Sequence, residues 1–338
     1  MTNKSRNILF FTLMAAAFVV LVIACLMVGS VDIPVSDILA TICGGEASKT
    51  TWTHIILEMR VPAIATAILA GAALSVSGLL MQTVFNNPLA GPSILGVSSG
   101  ASLGVAVAIL AMGAAAERTG MTLVGALVGA AAITLILLAM SSIVRSTMML
   151  LIVGILISYL TSSVISLLNF FATEQGVHSY VIWGLGSFNG VDLEALPIMA
   201  LLTVVALALA FISTKPLNAM LAGDRYAVNM GLNIRRWRSI ILLVSAILVS
   251  VTTAYCGPIA FIGLVVPHIA RLLLKTSNHQ RLLPATALAG SVTALLALFL
   301  STAPATYGVL PINAITPIIG VPVVLYIIIN RRRISYFN

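Results

Sequence analysis

Apolar residues run along this chain in long blocks that carry no charge. The long charge-free intervals are 7–31, 61–116, 119–144, 146–173, 195–214, 239–270 and 282–330. A charged side chain at the centre of a bilayer costs at least ~2.5–3.5 kcal/mol, so spans lie inside such intervals. A helical span needs about 20 residues. Intervals 61–116 and 282–330 therefore hold two spans each, broken at Asn86-Asn87-Pro88 and around 304–311. Interval 239–270 holds one full span and a shorter one after Gly257-Pro258. The pattern predicts an all-α, polytopic membrane protein of ten transmembrane helices, one domain over 1–338, with both termini on the same side.

One stretch interrupts the apolar rhythm. Residues 215–238, KPLNAMLAGDRYAVNMGLNIRRWR, lie between two apolar runs and gather Lys215, Arg225, Arg235, Arg236 and Arg238 around a single acid, Asp224. Leu217, Met220 and Leu221 are spaced for one short helix face. Ala227, Val228, Met230 and Leu232 are spaced for a second, with Gly223-Asp224 as the turn between them. Two readings stand: a docking surface for a soluble partner, or a basic loop that only sets topology.

Composition agrees with the pattern. The chain is 60% hydrophobic and 8% charged, and its mean hydropathy is +1.14, whereas soluble domains carry about a quarter charged residues. The net charge of +8 is dispersed between apolar blocks, which argues against nucleic acid as a partner. Cys25, Cys43 and Cys256 are too few and scattered for a disulfide framework or a metal cluster, and no metal site is read. The first apolar run, behind Lys4 and Arg6, is too long for a typical signal-peptide core and is read as an uncleaved span.

Charge also orients the chain. With both termini cytoplasmic, all but Lys49, Arg60 and Arg118 of the 17 Lys and Arg residues face inward, including Arg145, Arg271, Lys275, Arg281, Arg331, Arg332 and Arg333. The acids run the other way: Asp32, Asp37, Glu46, Glu58, Glu117, Glu174, Asp192 and Glu194 are external, and only Asp224 is internal.

Several stretches carry candidate chemistry. GGEASKT at 44–50, within the external segment 31–59, is similar to a phosphate-binding loop, but Ser48 stands where the motif requires Gly and no strand precedes it. No other nucleotide motif is present, so any ATP is hydrolysed by another subunit. Gln82, Asn86, Asn87, Pro88 and GPSILGVSSG at 91–100, with Ser98 and Ser99, are too polar and too rich in Gly and Pro for a lipid-facing helix. Such backbone is tolerated at membrane depth when it is buried in protein or lines an aqueous path. Arg145-Ser146-Thr147 either lines a gate or caps a helix, Ser146 being a suitable N-cap. WGLGSF at 183–188 reads as an interfacial anchor with a turn, and His268 as a hydrogen-bonded structural residue. Gly257-Pro258 echoes Gly91-Pro92 on spans of opposite direction, a hint of an inverted repeat.

Three mechanisms compete. No predicted span holds Asp or Glu, which disfavours an ion-coupled secondary carrier. A channel does not need so elaborate a loop. The membrane subunit of an ATP-driven transporter needs a path, a docking element and no nucleotide motif of its own, and fits best; a carrier or channel without an ATPase is the alternative.

The stretches at 60–101, 183–188, 217–238 and GPIAFIGLVVPHIARLL at 257–273 resemble the FecCD-type permeases of ABC importers for iron siderophores, haem and cobalamin. The resemblance implies the type II importer architecture with inverted repeat halves, a bacterial inner-membrane location and a homodimer. Two cytoplasmic ATPase subunits, carrying ATP and Mg, and an external substrate-binding protein complete the complex. The chain itself is then a transport subunit, not an enzyme, and binds no cofactor. The resemblance further implies that the cytoplasmic coupling loop 213–238 contacts the ATPase through Leu217, Asn218, Gly223, Asp224, Arg225 and Gly231, with Ser146 and Thr147 near the gate. Ferric siderophore is the leading cargo by family frequency, with cobalamin and haem close behind. The chain departs from the family pattern at Ala63, Leu298, Thr302 and Val309, which leaves Arg60 as the remaining member of the arginine set that docks the binding protein.

Overall fold

The computed structural model describes residues 3–92, 96–112, 120–144, 146–304 and 308–329. The segments holding Glu117, Arg118, Arg145, the arginines at 331–333 and residues 93–95 of the polar passage lie outside the described residues, as do the side chains of Thr147 and Asp224.

The described chain is helical throughout. It opens with α1 (Asn3–Met27) and two short helices, α2 (Val35–Ile42) and α3 (Thr50–His54). A π-helical turn, Ile55–Arg60, leads without a break into α4 (Val61–Val84). Then come α5 (Val97–Met112), α6 (Met121–Ile143), α7 (Thr147–Phe171) and α8 (Glu174–Gly184). The second half contains α9 (Leu196–Ile212), α10 (Thr214–Leu221), α11 (Asp224–Asn229), α12 (Ile234–Cys256), α13 (Ile262–Leu274), α14 (His279–Thr302) and α15 (Ile312–Ile329).

Six helices are long and apolar enough to cross a membrane, or seven if α9 and α10, bent by 51°, form one span. The other three apolar helices, in α5, α13 and α15, are shorter than a span. Charge spacing expected nine full spans and one shorter one after Gly257-Pro258; the shorter one is α13, but α5 and α15 are short as well, so nine full-length spans are not what the helix lengths give. For α5 and α13 the reason is local: the described residues after α4 (85–92), and those between α12 and α13, go into turns and irregular backbone instead of helix.

The core is built around α4, which packs against α9, α12, α13 and α14. Its residues are buried on nearly every side from Pro62 to Val84, so it has no polar face. Small residues make this possible. A Cβ placed on Gly78 would enter the carbonyl of Gly263 in α13, and one on Gly71 the carbonyl of Gly290 in α14. Gly100 and Gly104 of α5 meet Gly129 and Gly125 of α6 in the same way. Lipid offers no hydrophobic drive between helices, so close backbone approach through such residues is what holds them.

Two expectations change around α1. The segment 31–59 is largely helical, and Arg60 does not stand at the surface for a partner: it is 8% exposed. Its guanidinium donates to the carbonyls of Leu26, to Met27 at 3.2 Å and to Val31 at 2.6 Å. These carbonyls include the last turn of α1, whose unpaired acceptors need a donor. The π turn rotates Arg60 inward to supply it, and its side chain has no free face for a binding protein.

The phosphate-loop-like stretch also has a structural use. Ser48 donates to Asp37 Oδ1 through its backbone N–H at 2.6 Å and its hydroxyl at 2.7 Å. The backbone bond first, and the hydroxyl second, hold the Asp37 carboxyl below the usual carboxylate range. A depressed folded-state value stabilises the fold above the unfolded value of ~3.9 and loses that contribution as pH falls through the folded value. Ser48→Ala keeps only the backbone bond. Thermal stability in detergent between pH 5 and pH 3 is expected to fall less steeply in that variant than in the wild type.

WGLGSF makes the turn its composition predicts, and the stretch is packed into the bundle. Trp183 is half-buried and stacks on Tyr180, and Phe188 is fully buried. Gly186, at φ 74°, lets the chain turn so that Ser187 N–H donates to Cys256 O at 2.9 Å and Asn313 N–H to Leu185 O at 3.1 Å. The Asn313 amide then donates to Gly184 O at 3.1 Å and Pro258 O at 2.5 Å, clasping three segments together.

Candidate functional site

The basic stretch folds into two short helices, as its spacing predicts. Ser213 stops α9 and α10 leaves at an angle, with Pro216, Leu217, Ala219 and Met220 turned inward. Gly223, at φ 104°, makes the turn into α11. Gly231, at φ 80°, ends α11: Leu232 N–H donates to Ala227 O at 3.1 Å and Gly231 N–H to Val228 O at 2.9 Å. Both glycines have open space around them, so their role is the left-handed backbone that other residues adopt only under strain. Asn233 then caps α12 by accepting from Arg236 N–H at 3.0 Å.

Of the six residues expected to carry a partner contact here, Gly223, Arg225 and Gly231 are exposed and Asp224 opens α11. The other two face the wrong way for that role. Leu217 is fully buried, and Asn218 is turned toward α14. What the α11 segment leaves exposed instead is largely apolar: Tyr226 is 54% exposed, Val228 58% and Met230 61%. Sequence spacing had placed Val228 and Met230 with the buried Ala227; the usable signal was that apolar residues in so basic a stretch exceed what α11 can bury.

Behind this element lies a hydrogen-bonded junction. The Asn218 side-chain oxygen accepts from the backbone N–H of His279 at 2.8 Å and lies 2.8 Å from His279 Nδ1. Its amide donates to Asn278 Oδ1 at 3.0 Å, the same oxygen that caps α14 by accepting from Gln280 N–H. The far side of the imidazole, Nε2, is 2.8 Å from the hydroxyl of Thr83, in the last turn of α4.

Three residues after Thr83 comes the polar stop of α4. Asn86, at φ 44°, ends the helix: its N–H donates to Thr83 O at 3.2 Å, and Asn87 N–H donates to Gln82 O at 3.1 Å. Asn tolerates the left-handed conformation better than most residues, which accounts for its place there. Asn87 Oδ1 accepts from Leu89 N–H at 2.9 Å. The buried Gln82 accepts from Arg271 Nη1 at 2.5 Å and donates to Leu264 O at 3.1 Å. His268 Nε2 donates to Pro88 O at 2.7 Å, the structural use expected of this histidine. Gln82 is thus buried and tied to α13, and His268 of α13 holds Pro88, while Asn86 and Leu89 stay exposed; non-helical backbone at membrane depth is tolerated where it is held by protein or lines an aqueous path.

Beyond the stop, Asn87 and Leu89 face α7 across an open cleft of about 440 Å³, lined also by Leu151, Ile155, Ser158, Tyr159 and Ser162. The lining is mostly apolar with a few hydroxyls. Ser158, Tyr159 and Ser162 were not singled out from sequence, although hydroxyls at i, i+1 and i+4 on an apolar helix mark one face. Ser98 and Ser99 are half-buried in the first turn of α5 and do not line this cleft. Ser146 caps α7, accepting from Met149 N–H at 3.4 Å. Of the expected path residues that are described, Asn87 lines this cleft, and Gln82 is buried in the bundle.

Known proteins share this arrangement. The chain is 36% identical over 279 residues to the vitamin B12 import system permease protein BtuC of Citrobacter koseri, covering 82% of this chain and 84% of that one. The Escherichia coli O9:H4 protein of the same name is 34% identical over 303 residues, covering 88% and 92%. Among solved structures, an ABC transporter assigned to the metal-chelate type, in an inward-facing conformation, superposes with a TM-score of 0.83 at 26% identity. That match covers 96% of this chain and 99% of the other. The FecCD transport family profile matches residues 17–330, and the chain, a transport subunit and not an enzyme, belongs to that family.

Proposed function

We propose that this protein is the membrane-spanning permease of an ATP-driven importer and takes up a bulky metal chelate through a bacterial inner membrane. The observation that carries the reading is the α10–α11 element, which is anchored inward by Leu217 and Asn218 and presents Arg225, Tyr226, Val228 and Met230 outward. A soluble face of this kind is what an ATPase subunit grips, and the chain carries no nucleotide motif of its own.

In this reading α9 and the three shorter apolar helices join the six long ones to make ten spans, both termini are cytoplasmic, and two copies face each other through the exposed apolar side of α7. The halves α4–α7 and α12–α15 form the inverted repeat; α4 ends at left-handed Asn86 ahead of Gly91-Pro92, α12 at left-handed Gly257 of Gly257-Pro258, and a shorter helix follows each. Cargo passes along the cleft at α7, whose mixed apolar and hydroxyl lining holds a large ligand only weakly, with Ser146 and Thr147 toward its gated end. With Arg60 engaged to α1, an external binding protein docks through other contacts, facing a surface that is mainly acidic.

The named relatives make cobalamin the first cargo to offer, with ferric siderophore and haem beside it. The test is uptake into proteoliposomes holding this chain, its ATPase and its binding protein. Uptake of one labelled chelate only with internal ATP is the expected result. Uptake indifferent to ATP but responsive to an ion gradient would mean a secondary carrier.

A further inference from the structure

We propose that Asn218, His279 and Thr83 form a rigid tie that carries displacement of the α10–α11 element to the polar stop of α4, with His279 as its central positioning residue. The proposal rests on the permease reading above and adds the route by which an ATPase-driven movement would reach the cargo path.

The geometry at His279 is closed on both sides. Asn218 has its orientation fixed twice: its oxygen by the His279 backbone N–H, and its amide by Asn278 Oδ1, which is itself held by Gln280 N–H. The ring nitrogen facing that oxygen, Nδ1, is therefore the one that carries the proton, and it donates to Asn218. In the neutral ring Nε2 is then an acceptor, and the Thr83 hydroxyl, at 2.8 Å from it, shares its single proton between Nε2 and the carbonyl of its own helix. The hydroxyl also lies 2.9 Å from Leu79 O, the ordinary back-bonding partner of a helical threonine. His279 is fully buried, so water does not compete for either bond.

Three elements meet at this one planar ring: α10 through Asn218, the first turn of α14 through His279, and the last turn of α4 through Thr83. α10 also meets the bundle by apolar packing of Pro216, Leu217, Ala219 and Met220, which is non-directional and can slide. Hydrogen bonds to a planar, buried ring cannot slide without breaking. Thr83 is also the residue whose carbonyl holds Asn86 N–H, beside Gln82, whose carbonyl holds Asn87 N–H. A shift of Thr83 therefore moves both acceptors of the turn that places Asn87 and Leu89 at the cleft.

The test uses the full complex with its ATPase subunits. Leu89, which is exposed, is replaced by Cys in a Cys43→Ser background, the buried Cys25 and Cys256 being retained. The labelling rate by a water-soluble maleimide is measured with and without ATP and vanadate, together with the hydrolysis rate. Thr83→Val removes the hydroxyl with little change of shape, and the nucleotide-dependent change in labelling is expected to fall on the order of tenfold. Hydrolysis should stay within about twofold of the wild type, since Thr83 is remote from the exposed face of α11. Thr83→Ser should restore the response, and His279→Leu should abolish it. A purely structural role would lower assembly and hydrolysis together and leave their relation to labelling unchanged. A full response in Thr83→Val overturns the tie alone. A wild-type complex that binds no ATPase and shows no nucleotide response overturns the permease reading, and the tie with it.

Discussion

Gly78→Ala is expected to remove most of the folded protein from the membrane. One added methyl would occupy the space of the Gly263 carbonyl, with the Gly263 Cα at 2.9 Å behind it. All of these atoms are backbone, so no side chain can rotate away. The helices α4 and α13 would have to separate, and the penalty is not local. Gln82 lies one turn below Gly78 on the same face and is joined to Leu264 and Arg271. Overpacking in a filled interior costs ~1–3 kcal/mol where neighbours can adjust, and here they cannot; with the junction lost, about 3 kcal/mol or more is expected. Gly184→Ala is the control: a Cβ there meets nothing within 4 Å, and the residue ends helix α8 without a positive φ. Detergent-extracted yield and thermal midpoint should collapse for Gly78→Ala and hold, or rise slightly, for Gly184→Ala.

The second large effect belongs to the outward face of α11. Val228→Asp together with Met230→Asp should leave the bundle folded, because both side chains are exposed in the isolated chain. If an ATPase covers them, each loses ~1.5–3 kcal/mol of apolar burial. The pair then weakens association by at least a hundredfold, since every 1.4 kcal/mol is a factor of ten. Co-purification of the ATPase should fail while extraction of the permease is unchanged. Reversing Asp224 and Arg225 together is the electrostatic counterpart, and there the expected signature is hydrolysis without transport. Wild-type association of the Val228/Met230 variant would remove the argument for α11 as the docking face.

The two effects differ in how far they could be seen from the chain. Gly71 and Gly78 stand out in sequence as small residues on one apolar run, and close helix approach follows from that. Which partner each one meets does not: Gly290 and Gly263 lie about two hundred positions away. The α10–α11 pair was readable because a basic, turn-containing stretch cannot enter a bilayer. Its inside and outside were not, since Leu217, Val228 and Met230 are equally apolar and only packing separates the buried residue from the exposed ones. Arg60 shows the same division. Its charge marked the end of an apolar run, but the π turn that carries it inward to the α1 carbonyls has no signature at that position. The hydroxyls of Ser158, Tyr159 and Ser162 were visible as a pattern on one helix and gained meaning only when Asn87 and Leu89 closed the other side of the cleft.

By itself the sequence determined that the protein is helical, lies in a membrane and interrupts its apolar blocks at a basic element and at a polar, glycine-rich passage. Those conclusions follow because insertion free energy and helix termination are sums over neighbouring residues, which a short window contains in full. Only the tertiary structure decided that α5 and α15 are short as well as α13, that Arg60 and Asn218 are spent on internal contacts, and that Thr83 and His279, 196 positions apart, share a hydrogen bond. The physical reason is the same in each case. Which side of a helix is used depends on close backbone approach and on the pairing of buried polar groups, and both partners of such a contact are fixed by packing across the whole chain.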